Sequence, residues 1–168
     1  GVSSGYAIYP LYHILISNFV LISNMGVIFS STLVSGLVFS LSVFLVFRIA
    51  THFSNGDKQA PALACILFSM TPIVVFYGQY SAVTRVFAFI GFLLLFLAYI
   101  QYIESRKDPR HYVMVLSFTI FIIFVHQVSA LQISLVLFLF ITFRYLIDRR
   151  NGLDYPILGL LLVASMAH

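Results

Sequence analysis

Polar and apolar positions alternate in long blocks along this chain, and neither the two-residue period of a strand nor short amphipathic helices dominates. Gly26 to Phe47 carries no charge and, at about 20 residues per crossing, is long enough to span a bilayer as a helix. The pattern ends this span at Arg48 and places a polar turn over Thr51 to Lys58, punctuated by Asn55-Gly56. Pro61, suited to a first helical turn, opens a second apolar run to Tyr77; Pro72 lies late in it and predicts a kink or an end near Thr71. After the polar step Gly78-Gln79-Tyr80-Ser81 and Arg85, a third apolar run covers 86–103.

The most charged stretch, Glu104 to Arg110, closes that run. Within it Asp108-Pro109 reads as the N-cap and first residue of the next helix. No formal charge follows from His111 to Phe143, yet a straight helix of that length would extend about 50 Å, well beyond a ~30 Å hydrocarbon core. The chain must turn back, and His126-Gln127-Val128-Ser129 is the place. The expected spans are therefore 26–47, 60–77, 86–103, 112–125, 130–146 and a sixth over 156–168. Residues 1–25 form a separate outer segment: Pro10 to Ile22 is short for a crossing and fits a helix lying at the outer interface. His13, Ser17 and Asn24 share one stripe of that helix at 100° per residue. The expected fold is all-α, a polytopic transmembrane bundle of five to six spans plus the interfacial helix.

Composition fixes the solvent. Of 168 residues, 61% are hydrophobic and only 8% charged, against about 25% charged in a soluble domain. A cytosolic enzyme, a disordered segment and a nucleic-acid-binding module are excluded. Alternation of the spans puts eight of the nine Lys and Arg residues, and all five carboxylates, on one side. By the positive-inside rule the loops 48–59, 104–111 and 147–155 are then cytoplasmic. Arg85 is the single fixed charge of the other side. The single cysteine, Cys65, lies in an apolar run, and the His residues have no metal-ligand spacing. The chain starts without Met and ends inside an apolar run, which we take as the mark of a piece of a longer protein.

Arg85 is the candidate of greatest chemical interest. A guanidinium at a span's outer end can hold a phosphate through paired N–H donors; its plainer role is to reach the lipid headgroups. His126 and Gln127 at the outer turn, and His13 on the outer helix, offer hydrogen bonds to an anionic ligand, or simply satisfy a turn's backbone and anchor the interface. Gln79 and Tyr80 stand near Arg85 in sequence. Ser30, Ser31, Thr32, Ser35 and Ser40 are expected to serve helix packing.

The order of these features resembles a known family. Tyr9-Pro10-Leu11-Tyr12-His13, the segment Ser69 to Ser81 around Pro72, Arg85 shortly after it, the basic loop 104–111 and Val125-His126-Gln127-Val128-Ser129 are similar to elements of polyprenyl-phosphate-dependent membrane glycosyltransferases of the GT-C type. The resemblance covers roughly 9–147. It implies a GT-C-like fold and an enzyme that moves a sugar from a lipid-phosphate carrier to an acceptor at the outer face of a prokaryotic cell membrane. Arg85 would contact the carrier phosphate, and Gln79, Tyr80, His126, Gln127 and His13 would line the substrate cavity. Members of that family use an outer acidic residue as base or metal ligand; this chain has none, so no catalytic residue is assigned and no metal site or cofactor is expected within it. A divalent metal would be held by residues outside the chain. The expected partners are membrane lipid, the lipid-linked sugar donor and other membrane subunits, with no nucleic acid. Two alternatives stand beside the enzyme: a non-catalytic helical subunit of a membrane complex, and a transporter fragment.

Overall fold

A computed structural model describes residues 10–54, 56–71, 84–105 and 108–147, together with 157, 159 and 163. The described residues form six helices and no strand: α1 (Pro10–Ser23), α2 (Val27–Phe53), α3 (Gln59–Met70), α4 (Thr84–Glu104), α5 (Pro109–Val125) and α6 (Gln127–Ile147). Three of them contain stretches long and apolar enough to cross a membrane, Val27–Phe53, Val86–Glu104 and Ser129–Ile147. Apolar α3 and α5, with 12 and 17 residues, are shorter. At 1.5 Å per residue they extend about 18 and 25 Å. The region expected to complete the second span, 72–77, lies outside the described residues, as does nearly all of 156–168.

Helix ends fall where local chemistry permits them. Asp108 caps α5, its Oδ1 accepting the Arg110 N–H at 2.8 Å, with Pro109 as first helical residue. Pro61 stands in the first turn of α3, and Thr71 leaves that helix with an extended ψ of 117°, the conformation that a following proline favours. Two boundaries differ from the sequence expectation. Helix α2 does not stop at Arg48 but continues to Phe53, because polar side chains end an apolar run without interrupting backbone hydrogen bonding. Ser54 closes the helix, and Gly56 turns the chain at φ 95°, a value that favours glycine. Asn24 is not on the α1 stripe with His13 and Ser17; it lies beyond the helix at φ 55°, a left-handed conformation that Asn tolerates, and its N–H is bonded to the Val20 carbonyl at 2.9 Å.

Helix α4 is the central element and packs against α2, α5 and α6. Its close approach to α5 rests on Gly91. A methyl group there would meet Ile122 Cγ1 at 2.8 Å and the Phe121 ring at 3.1 Å. The principal core joins Leu95, Ala98, Tyr99 and Tyr102 of α4 with Val115 and Ile122 of α5 and Leu137 and Ile141 of α6, and Ile157 belongs to it. Rings link the helices laterally. Phe68 of α3 stacks between Phe39 of α2 and Phe89 of α4, at 6.0 and 5.7 Å, and Phe140 of α6 meets Phe96 and Tyr99 at 5.0 and 6.2 Å.

These contacts establish direction. The pair His52 Nδ1–Glu104 Oε1, at 3.2 Å, brings the C-terminal ends of α2 and α4 together, so the two helices run parallel. Ser105 Oγ and His111 Nδ1, 3.0 Å apart, tie the end of α4 to the start of α5, which returns antiparallel. Phe140, thirteen residues beyond Gln127, lies beside the half of α4 that leads to Glu104, so the chain does reverse at His126.

The apolar surface faces outwards. In the stretches long and apolar enough to cross a membrane, only 17% of α2 and 22% of α6 is buried, against 56% of α4. Phe29, Leu37, Leu41 and Phe44 of α2 are all more than half exposed. Exposed apolar area on this scale is compatible with an integral membrane protein, whose lipid solvent carries no penalty for it. The serines divide between the two faces of α2. Ser30, Ser31, Ser35 and Ser42 are buried on packed surfaces, whereas Thr32 and Ser40 are exposed and bond the Ile28 and Gly36 carbonyls, so packing does not account for those two.

Gly91→Ala is expected to lower stability by about 1–3 kcal/mol through overpacking, and Ile122→Ala combined with it to lose less than the sum of the two changes. Thermal unfolding in detergent measures both; strict additivity would contradict the close approach at Gly91.

Candidate functional site at the His126 end

The start of α4 and the end of α5 meet in a second core cluster, in which Phe87 and Ala88 join Val125 and Ile16 of α1. Four isoleucine, phenylalanine, alanine and valine side chains thus hold three helices at the end of the bundle that also contains Arg85 and His126. Arg85 is the second residue of α4, and Glu104 is its last. The helix between them is about 30 Å long. Arg85 therefore stands at one end of the bundle, and Glu104, Asp108, Arg110, Asp57 and Lys58 at the other. The charge partition inferred from alternating spans is present in the described residues as a partition between bundle ends.

His126 is the best-defined polar side chain at this end. It interrupts the helical path with an extended backbone, φ −162° and ψ 99°, between the last residue of α5 and the first of α6. Its backbone serves both helices: the N–H bonds to the Ile122 carbonyl at 2.9 Å, and the carbonyl accepts the Ala130 N–H at 3.1 Å. Its ring does the same. Nδ1 accepts the Ser129 backbone N–H at 3.1 Å and lies 2.9 Å from the Ser129 hydroxyl. A backbone N–H can only donate, so Nδ1 is an acceptor without a proton and the neutral ring carries its proton on Nε2. The imidazole thus caps α6 as Ser, Asp or Asn caps other helices, and it is 7% exposed. The plainer role foreseen for this residue, satisfaction of the turn's backbone, is physically present.

The other candidates are less fully defined. His13 lies on the exposed side of α1, three residues before the buried Ile16 that docks the helix at this end. Gln127 is the first residue of α6 and so starts at the same end, but its side chain, like that of Arg85, lies outside those described. Gln79 and Tyr80 lie wholly outside the described residues. Sequence reasoning named Ser129 only as part of the turn. Its spacing three residues after His126, the interval of a helix cap, was the signal for its role.

A shallow apolar groove of about 370 Å³ runs between α1 and α5, lined by Leu11, Ile14, Ser117, Ile120, Phe121 and Phe124. Among the described residues no three His, Cys, Asp or Glu side chains gather to hold a metal ion. No family model, curated protein or solved structure matches the chain.

His126→Ala is expected to cost about 0.5–2 kcal/mol through loss of the cap, with His126→Asn, which keeps a short acceptor, losing clearly less. Denaturant unfolding in micelles distinguishes them; equal losses would show that the ring contributes volume and not the hydrogen bond.

Proposed function

We propose that this chain is the membrane-embedded part of a GT-C-type glycosyltransferase that takes a sugar from a polyprenyl-phosphate carrier at the outer face of a prokaryotic cell membrane. One observation supports the reading above the others. The backbone of Arg85 and the buried imidazole of His126 share one end of the bundle, while the described carboxylates Asp57, Glu104 and Asp108 lie at the other. A cation with no described carboxylate at its end of the bundle suits a phosphate, because none of the described anions competes for its paired donors. The order of sequence elements from Tyr9 to Ser129 adds the family resemblance.

In this reading Arg85 binds the carrier phosphate, and His126, Gln127, Gln79, Tyr80 and His13 line the cavity around the lipid-linked sugar. The positive-inside rule turns the Glu104 end towards the cytoplasm. No Asp or Glu occurs in 1–56 or 58–103, so the base, with any divalent metal it holds, comes from sequence beyond this chain. The role of this chain's own residues is to bind and orient the carrier.

Sugar transfer from a polyprenyl-phosphate donor by the full-length purified protein tests the proposal. Arg85→Ala is expected to reduce turnover about 10- to 150-fold, the loss of charge-assisted contacts in a desolvated site. Unchanged transfer in that variant would remove Arg85 from the site, and an absence of transfer by the unaltered full-length protein would favour the non-catalytic subunit.

A further inference from the structure

We propose that the Glu104 end of the bundle is a binding surface for anionic phospholipid headgroups, formed by Arg48, Lys58 and Arg110. This does not depend on the enzymatic reading, because it concerns the opposite end of the molecule. Arg48 lies in the last two turns of α2, Lys58 at the N-cap of α3 and Arg110 in the first turn of α5, all towards the Glu104 end of the bundle. Arg48 precedes His52 by one helical turn, and His52 meets Glu104. Lys58 is the N-cap residue of α3 immediately after the α2–α3 turn, and Arg110 adjoins His111, which bonds Ser105. All three side chains are exposed.

The carboxylates at this end keep their charge but direct the described oxygens to backbone N–H groups or to a histidine. Asp57 Oδ1 accepts the Gln59 N–H at 2.8 Å, Asp108 Oδ1 accepts the Arg110 N–H at 2.8 Å, and Glu104 pairs with His52. Two of these groups terminate helices and the third ties α2 to α4. Among the described residues none of these carboxylates forms an ion pair with Arg48, Lys58 or Arg110, so the three cationic heads are open to an external anion at the described surface. In sequence Arg106 and Lys107 adjoin the same end.

The surroundings of each cation select a lipid over a soluble polyanion. Exposed Phe44 and Phe47 precede Arg48, Leu63 follows Lys58 at 56% exposure, and Val113 and Met114 follow Arg110 at 57% and 40%. Each positive head therefore sits at the edge of an apolar helix surface. That pairing matches a phosphate joined to acyl chains: the guanidinium or ammonium meets the headgroup while the helix below it meets the chain. A free phosphate or an acidic protein would use the charge alone, whereas a phospholipid engages the charge and the adjacent apolar surface with one molecule.

The experiment reconstitutes the protein in phosphatidylcholine vesicles and measures the association of spin-labelled phosphatidylglycerol relative to spin-labelled phosphatidylcholine. Phosphatidylglycerol is expected to associate more strongly. The preference is expected to weaken as salt rises, since the Debye length falls from about 30 Å at 0.01 M to about 3 Å at 1 M. The triple variant Arg48→Gln, Lys58→Gln, Arg110→Gln is expected to lose up to about fivefold in preference for each cation removed, while Arg48→Lys, Arg110→Lys retains most of it. Equal association of the two lipids with the unaltered protein overturns the proposal, as does a preference that is indifferent to salt. The salt arm needs no variant and can overturn the proposal even where the triple variant fails to fold, and the single changes Arg48→Gln, Lys58→Gln and Arg110→Gln then assign the preference. A preference that persists undiminished in a folded triple variant also overturns it.

Discussion

Backbone amides and carbonyls cannot be left without partners in an apolar solvent, where each unsatisfied group costs several kcal/mol, and this requirement governs where the chain is helical and where it can stop. Three of the described interruptions, before α3, α5 and α6, supply a side-chain substitute. Asp57 and Asp108 accept N–H groups at the starts of α3 and α5. The start of α6 has no carboxylate nearby, and there the His126 imidazole provides the acceptor. The difference between the two ends is informative. Charged caps occur at the end where the described carboxylates gather, whereas the end with no described carboxylate uses a neutral ring for the same purpose and so reverses the chain without a charged cap.

The second determinant is the position of α4. Gly91 admits α5 to close range, the phenylalanine rows attach α3 and α6, and the Ser31, Ser35 and Ser42 side of α2 is small enough to pack without bulky projections. In a lipid solvent, with which the apolar helices are compatible, dispersion between close-packed side chains and not the exclusion of water would hold such helices together. A central helix flanked by parallel α2 and antiparallel α5 has a further consequence. Its two ends acquire distinct electrostatic characters, because residues from separate chain segments accumulate at each: Arg85 with His126 at one, and the fixed charges of both connecting turns at the other.

Much of the fold was legible because prolines and charges are strong punctuation in an apolar chain. Asp108-Pro109 marks a helix start by a cap and a missing N–H, Thr71 before Pro72 marks an end, and the excess length of 111–143 demands a reversal, for which the polar cluster His126-Gln127-Val128-Ser129 is the place. The errors have an equally local origin. Arg48 ends an apolar run but not a helix, since hydropathy reports the solvent and helical hydrogen bonding does not. Asn24 shares the α1 period but not its conformation. Of the candidate site, the common end of Arg85 and His126 follows from span alternation alone. The capping of Ser129 by the histidine ring does not follow from alternation, because it depends on an extended backbone at one residue. The pairing of His52 with Glu104 joins positions 52 residues apart, and single-chain patterning gives no means of connecting them.

The separation of the two ends is tested most directly by labelling intact vesicles with a membrane-impermeant maleimide, using single cysteines introduced into a Cys65→Ala background at Met25, Gly56, Thr84 and Arg110. The account predicts that positions 56 and 110 react from one side and positions 25 and 84 from the other. Reaction of positions 84 and 110 from the same side would contradict it, since one crossing of α4 must lie between Arg85 and the fixed charges at Glu104 to Arg110.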